Sequence, residues 1–213
     1  MSLVRLNVHV VVFRLHEDAL QVLLTPSTEQ PEYWELPGRP VTENESLEDS
    51  AALALASRVS REEAYLEQLY TYGDPQRTPQ RLVSVVYFAL APADAIRDGP
   101  GPESWHGIQS LPPLAYDHAD ILAYALRRLR YKLEYSAAGF QLLPDEFTLS
   151  QLQHTYEIVL GESLDKRNFR RRILEAGIIE PTPHVRSGEG RPARLYRYRP
   201  DAVAEVKARR LFP

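Results

Sequence analysis

Two apolar runs open the chain. Residues 4–13 (VRLNVHVVVF) and 20–24 (LQVLL) are rich in β-branched side chains, and the polar break His16-Glu17-Asp18 between them predicts a hairpin. The next segment, PSTEQPEYWELPGRP (26–40), carries four prolines, which exclude a continuous helix or a central strand. From Ser46 the period changes. Leu47, Ala51, Leu55 and Val59 form one stripe of a helix expected over 46–59, with Ser46, Glu48 and Asp49 suited to its first turn. Strands are expected at 66–72 (LEQLYTY) and 82–90 (LVSVVYFAL), separated by the turn-rich GDPQRTPQ. Residues 91–116 read as a looser connection. A helix over 117–135 follows, with Ile121, Leu122, Ala125, Leu126, Leu129 and Leu133 on one side and Arg127, Arg128, Arg130 and Lys132 mostly on the other.

The pattern then changes character. YSAAGFQLLPDEF (135–147) reads as a connection between domains. Thr148 is placed to cap a helix with Gln151 at the capping-box position, and Gly161 to end it. A second helix is expected from Asp165 to Ala176, stopped by Gly177, with Phe169, Ile173 and Ala176 facing inward. IIEPTPHVRSGEGRPARLYRYR then reads as two strands around a Gly/Arg-rich tip, with Tyr196 and Tyr198 packing inward. Helix, short turn, basic helix and basic hairpin is the order of a winged helix-turn-helix. Three segments are therefore expected: 1–135, a linker over 136–147, and a winged helix over 148–213.

A chain of 213 residues accommodates two such domains. No run approaches the ~18 apolar residues of a membrane span, and the N-terminus reads as a strand rather than a signal peptide. Cysteine is absent, which excludes disulfide scaffolds, thiolate zinc sites and cysteine nucleophiles and fits a cytoplasmic protein. The six histidines show no metal-ligand spacing, so no metal site is expected. The net charge of -4 hides an asymmetry: 12 Lys and Arg oppose 19 Asp and Glu over 1–135, but 13 oppose 10 over 136–213. A basic half on an acidic chain points to a polyanion partner. In the second helix of the winged domain, Lys166, Arg167, Asn168, Arg170 and Arg171 are the expected DNA contacts, since Arg and Asn match guanine and adenine edges in a major groove. Arg191 in the wing tip is expected on phosphate or in a minor groove.

The segment WELPGRPVTENESLEDSAALALASRVS resembles the Nudix box, in which carboxylates on a helix hold Mg²⁺ against a pyrophosphate. The frame is present in Trp34, Leu36-Pro37-Gly38 and Glu45-Ser46-Leu47. Aligned on Glu45, however, the glycine of the motif falls on Arg39, its Arg-Glu pair on Leu53 and Ala54, its Glu-Glu pair on Ser57 and Arg58, and its last glycine on Ser60. The same stretch also reads as a plain amphipathic core helix. Further stretches, QLYTYGDPQRTP, SVVYFAL, LPPLAYDHADIL, LLPDEFTLSQLQ, LDKRNFRRRILEAGIIE and GRPARLYRY, resemble the Nudix-related transcriptional regulators of the NrtR type, in that family's order over about residues 4–199.

The resemblance implies an α/β fold, a Nudix-like α/β/α sandwich with a mixed sheet, followed by a small α+β winged helix-turn-helix. It implies a homodimeric cytoplasmic repressor that binds double-stranded operator DNA, needs no cofactor, senses ADP-ribose or a related nucleotide sugar, and controls genes of NAD metabolism. The helix without its glutamates implies no catalysis. Trp34, Arg39, Glu45, Asp74, Arg77 and Arg81 are the candidate effector contacts; arginine suits a pyrophosphate because its guanidinium donates two parallel hydrogen bonds. Arg77 or Arg81 is expected to hold the diphosphate, with Arg39 and Arg58 adding positive charge where a hydrolase has acids. Asp117 is expected to cap the helix it precedes. Two alternatives stay open: a regulator of this architecture that senses a sugar or sugar phosphate, and an active pyrophosphohydrolase with acids recruited from outside the box.

Overall fold

The computed structural model describes residues 4–97, 101–135, 137–187 and 192–202. The chain forms two compact units, 1–126 and 127–213.

The first unit is built on a mixed sheet. Strands β1 (Arg5–His16) and β2 (Ala19–Pro26) form the expected hairpin. Glu17 and Asp18 both take positive φ, 46° and 61°, as a type I′ turn requires. The Pro-rich stretch contributes only two short strands, β3 (Trp34–Glu35) on β2 and β4 (Gly38–Pro40) on β1. Strands β5 (Tyr65–Tyr72) and β6 (Leu82–Leu90) complete the order β3-β2-β1-β6-β5, with β1 and β6 parallel. A further strand, β7 (Ser104–Gly107), pairs with β2 inside the stretch expected to be loose. Its pairing, Gln21 opposite Gly107 through Leu24 opposite Ser104, overrides its weak local propensity.

The pleat sorts the core. Val8, Val10 and Val12 of β1 and Val85, Tyr87 and Ala89 of β6 turn to one face and pack on Ala51, Leu55 and Val59. Those last residues come from helix α1 (Leu47–Leu55), whose Ser46 side chain caps the Asp49 amide. The helix stops at Leu55, four residues short of the expected end, yet the following turn still buries Val59. His9, Val11 and Phe13 turn to the opposite face, where His9 meets His118 in the first turn of helix α2 (His118–Tyr135).

The second unit begins inside α2. Leu129 and Leu133 are buried, and Arg130 Nε donates to the Val159 carbonyl at 2.9 Å, so this half of the helix is tied to the elements that follow. The expected linker is not a loose connection. Residues Ala137–Leu142 form a 3₁₀ helix, and Phe140 packs on Phe147 and Tyr198 with ring centroids 5.5 and 4.9 Å away. Apolar content explains the difference: Phe140, Leu142, Leu143 and Phe147 are all buried. Helix α3 (Leu149–Leu160) carries the full Thr148/Gln151 capping box and ends on Gly161 at φ 78°. Helix α4 (Lys166–Glu175) is capped by Asp165 and buries Phe169 and Ile173. Strands β8 (Ile179–Arg186) and β9 (Ala193–Tyr198) form the hairpin, and Phe147 adds a bridge to Tyr196. Among the described residues no helix is long and apolar enough to cross a membrane.

Candidate ligand cleft and basic helix

One edge of β1 is shared. Its Asn7–His9 stretch pairs with β4 and its Phe13–His16 stretch with β2. Against the β4 half, a cleft of ≈ 680 Å³ opens. Its walls come from the start of β1, the 25–29 segment, the Glu35–Val41 segment, the 77–80 loop, Tyr116 and His118.

Two histidines form a buried part of this cleft. His9 and His118 are 7 % and 2 % exposed, with their rings edge-on at 5.0 Å. The Leu36 amide donates to His118 Nδ1 at 3.0 Å, which makes that nitrogen an acceptor and leaves the proton on Nε2. Burial pushes His118 down to about 4, helped by the Arg77 charge, and His9 down to about 3, helped by His118 and Arg77. Both are neutral near pH 7. Gly38 makes room for His9: a Cβ there would stand 2.4 Å from His9 Cδ2 and 2.7 Å from the Val8 carbonyl oxygen. Metal spacing is the wrong test for these residues; the signal in the sequence is a single imidazole inside the apolar run of β1.

The expected effector contacts separate into two groups. Arg39 and Arg77 line the cleft; Trp34, Glu45, Asp74 and Arg81 do not. Arg39 donates to Glu45 at 2.6 Å, and the Thr42 amide donates to the other carboxylate oxygen. These bonds, the Arg39 one first, hold Glu45 down at about 2. Arg77 is only 5 % exposed and is committed internally: Nε and Nη2 donate to Asp117, both at 2.8 Å, and Nη1 donates to Ser84 Oγ. Asp117, the residue before α2, accepts from the Ile121 amide with its carbonyl and braces Arg77 with its carboxylate. Arg81 donates to the Gly73 carbonyl, and Asp74 closes its own turn by accepting from the Gln76 amide. Trp34 packs edge-on against His106 at 4.6 Å while its backbone bonds Pro113 and Ala115.

Arg58 does not bring charge to the cleft. Its side chain is 7 % exposed, and Nη2 donates to the Gly101 and Glu103 carbonyls, because α1 ends early and the turn folds this residue under the 101–103 segment. Glu48 accepts from the Tyr87 hydroxyl. Among the described residues no group of three or more His, Asp or Glu side chains is placed to hold a metal ion.

The basic helix of the second unit has a graded surface. Lys166 and Arg167 stand exposed at its N-terminal end, just beyond the Asp165 cap. Arg170 donates to Ser150 Oγ at 3.0 Å. Asn168 Oδ1 accepts from Arg171 at 2.8 Å and from Arg172 at 3.3 Å, and Arg171 also pairs with Glu175. Asn168 thus ties two arginines to the first turn of the helix. Arg191 lies outside the described residues.

This architecture has known counterparts. The family model of the NrtR DNA-binding winged helix domain matches residues 139–198. The chain is 36 % identical over 203 residues to the ADPR responsive transcriptional repressor NtrR of Acinetobacter baylyi, covering 91 % of this chain and 81 % of that protein. The chain belongs to the NrtR family. Shewanella oneidensis NrtR, solved in complex with a 27mer DNA, matches with a TM-score of 0.82 and 32 % identity over 96 % of both chains. The Nudix domain of that NrtR, solved with ADP ribose, matches 61 % of this chain and 90 % of its own with a TM-score of 0.53 and 30 % identity. The NrtR winged-helix match starts at Gly139, inside the segment expected to be a linker, in keeping with the packing of Phe140.

Proposed function

We propose that this chain is an ADP-ribose-responsive transcriptional repressor of NAD-metabolism genes, acting as a cytoplasmic homodimer on operator DNA. The observation that carries the reading is its 36 % identity, over 91 % of the chain, to a repressor that responds to ADP-ribose. The cleft supplies what a nucleotide diphosphate sugar requires. Arg39 and Arg5, both on its wall, meet the diphosphate; a planar guanidinium matches two phosphate oxygens at once. Arg77 serves by bracing the 77–80 loop against the start of α2 through Asp117. On the second unit, Lys166 and Arg167 enter the major groove first, because recognition helices read bases with their N-terminal residues. Asn168 holds Arg171, Arg170 follows on the same helix, and Arg191, which lies between β8 and β9 in the sequence, is a further DNA contact.

The first unit works as a sensor and not as a hydrolase. Metal-assisted hydrolysis needs clustered carboxylates, and the positions that supply them in the Nudix box hold Leu53, Ala54, Ser57 and the buried Arg58. Chain continuity through α2, from His118 to Tyr135, gives the route by which effector occupancy biases the DNA-binding unit. Fluorescence anisotropy of labelled operator, with ADP-ribose added in the presence of EDTA, tests the reading. Release of DNA by ADP-ribose without metal supports it. Release by ribose 5-phosphate but not ADP-ribose would transfer the proposal to a sugar phosphate.

A further inference from the structure

We propose that His9 and His118 form a neutral subsite that reads the hydroxyl groups of a sugar, at a place in the cleft distinct from the arginines that take phosphate. This rests on the sensor reading above and adds to it which part of the ligand the buried wall recognises.

Each of the two imidazoles keeps one nitrogen for a ligand. His118 spends Nδ1 on the Leu36 amide, so its remaining nitrogen is an N–H donor. His9 Nδ1 is buried with no hydrogen-bond partner among the described residues, while its Cδ2–Nε2 edge lies against Gly38 on the cleft wall. A buried N–H without a partner is worse than a buried lone pair without one, so the tautomer that leaves Nδ1 bare and protonates Nε2 is favoured. Both rings then offer an uncharged donor. Burial, aided by the Arg77 charge, keeps them uncharged, while the Asp117 carboxylate acts the other way on His9.

Acidic side chains of the same cleft decide what such donors meet. Glu29 and Glu35 line the same cleft, and Tyr116, which also lines it, donates to Glu29. Glu35 is half-buried and its carboxyl is pushed up, first by burial, with Glu29 adding to the shift. Carboxylates repel a phosphate but accept from a hydroxyl. A sugar hydroxyl can accept a hydrogen bond from an imidazole N–H and donate one to a carboxylate through the same oxygen. The rings are also preset for this: the Leu36–Gly38 segment bonds one and leaves room for the other, so little ordering is needed on binding.

The test is imidazole ¹⁵N NMR on the full chain at pH 7, with and without ADP-ribose, alongside calorimetry on the same samples. The resonances of His9 and His118 are assigned through His9→Asn and His118→Gln. The expected result is that both rings are neutral before and after binding, with protonated Nε2, and that their Nε2 signals shift on binding. His9→Asn, if its thermal melt is unchanged, should weaken ADP-ribose by about 10-fold. If either ring becomes an imidazolium on binding, it contacts phosphate and the proposal is overturned. It is equally overturned if calorimetry shows binding while neither Nε2 signal moves. Absence of any ADP-ribose binding to the wild-type chain would instead bring down the sensor reading itself.

Discussion

Arg77 and Asp117, 40 residues apart in sequence, face each other through two parallel hydrogen bonds of 2.8 Å each. The pair joins the loop before β6 to the residue that precedes α2, beside the cleft. Breaking a buried ion pair from one side leaves the other charge without a partner and costs about 3–5 kcal/mol. With Asp117 22 % exposed, Asp117→Ala should cost about 3 kcal/mol. Urea denaturation measures it; a loss below ~0.5 kcal/mol would show that the pair is not a brace.

The two buried histidines set an acid limit on stability. Their folded values, about 3 for His9 and about 4 for His118, lie below the ordinary 6.5. The unfolded chain therefore takes up protons that the folded chain refuses. Stability should be insensitive to these groups above pH ~7 and fall below ~6.5, by up to about 1.4 kcal/mol per pH unit for each histidine, until the folded values are reached. Denaturant midpoints between pH 5 and pH 7.5 test this. His9→Asn should reduce the slope by about one proton; an unchanged slope would mean that His9 titrates normally.

Gly38 is required by its neighbours rather than by its backbone angles. A methyl group at this position meets His9 at 2.4 Å and a backbone carbonyl oxygen at 2.7 Å, and the latter has no easy way to move. Gly38→Ala should destabilise the first unit by about 1–3 kcal/mol and weaken ADP-ribose binding at the same time. A variant with unchanged melting and affinity would show that β4 shifts freely.

On the recognition helix, exposure at the N-terminal end singles out Lys166 and Arg167. Arg167→Ala should cost about 1–3 kcal/mol of operator affinity and relax specificity at one position if it reads a base. Asn168→Ala should act through Arg171, so a double-mutant cycle between them should show coupling of about 0.5 kcal/mol or more. Additive losses would make Asn168 an independent contact. If the proposed homodimer neutralises about 8 phosphates, log K should fall with log[salt] at a slope near -7.

Most elements are legible in the chain because local signals and tertiary packing agree. The apolar β-branched run over 4–13, the Leu47–Val59 stripe and the Thr148/Gln151 box each mark a strand, a face or an end that the fold uses. β7 is not legible, since a strand flanked by Pro and Gly exists only through pairing with β2. In the segment before Thr148, which reads as a connection, the packing of Phe140 on Phe147 is a tertiary contact that the chain pattern does not announce. For the cleft, residue type identifies arginines but not their partners. Arg58, Arg77 and Arg81 are spent on the protein's own carbonyls, carboxylate and hydroxyl, which spacing along a chain does not reveal.

The central claim is a linkage between effector and DNA, and it is reciprocal by necessity. A ligand with equal affinity for both conformations shifts nothing. A usable switch requires about 100-fold coupling, or ~2.7 kcal/mol. The most direct measurement is calorimetric titration of ADP-ribose into the full chain, free and saturated with operator duplex, in EDTA. The account predicts that operator weakens ADP-ribose binding by the same factor, about 100-fold, by which ADP-ribose weakens operator binding. Equal ADP-ribose affinity for the free and DNA-bound protein would contradict it.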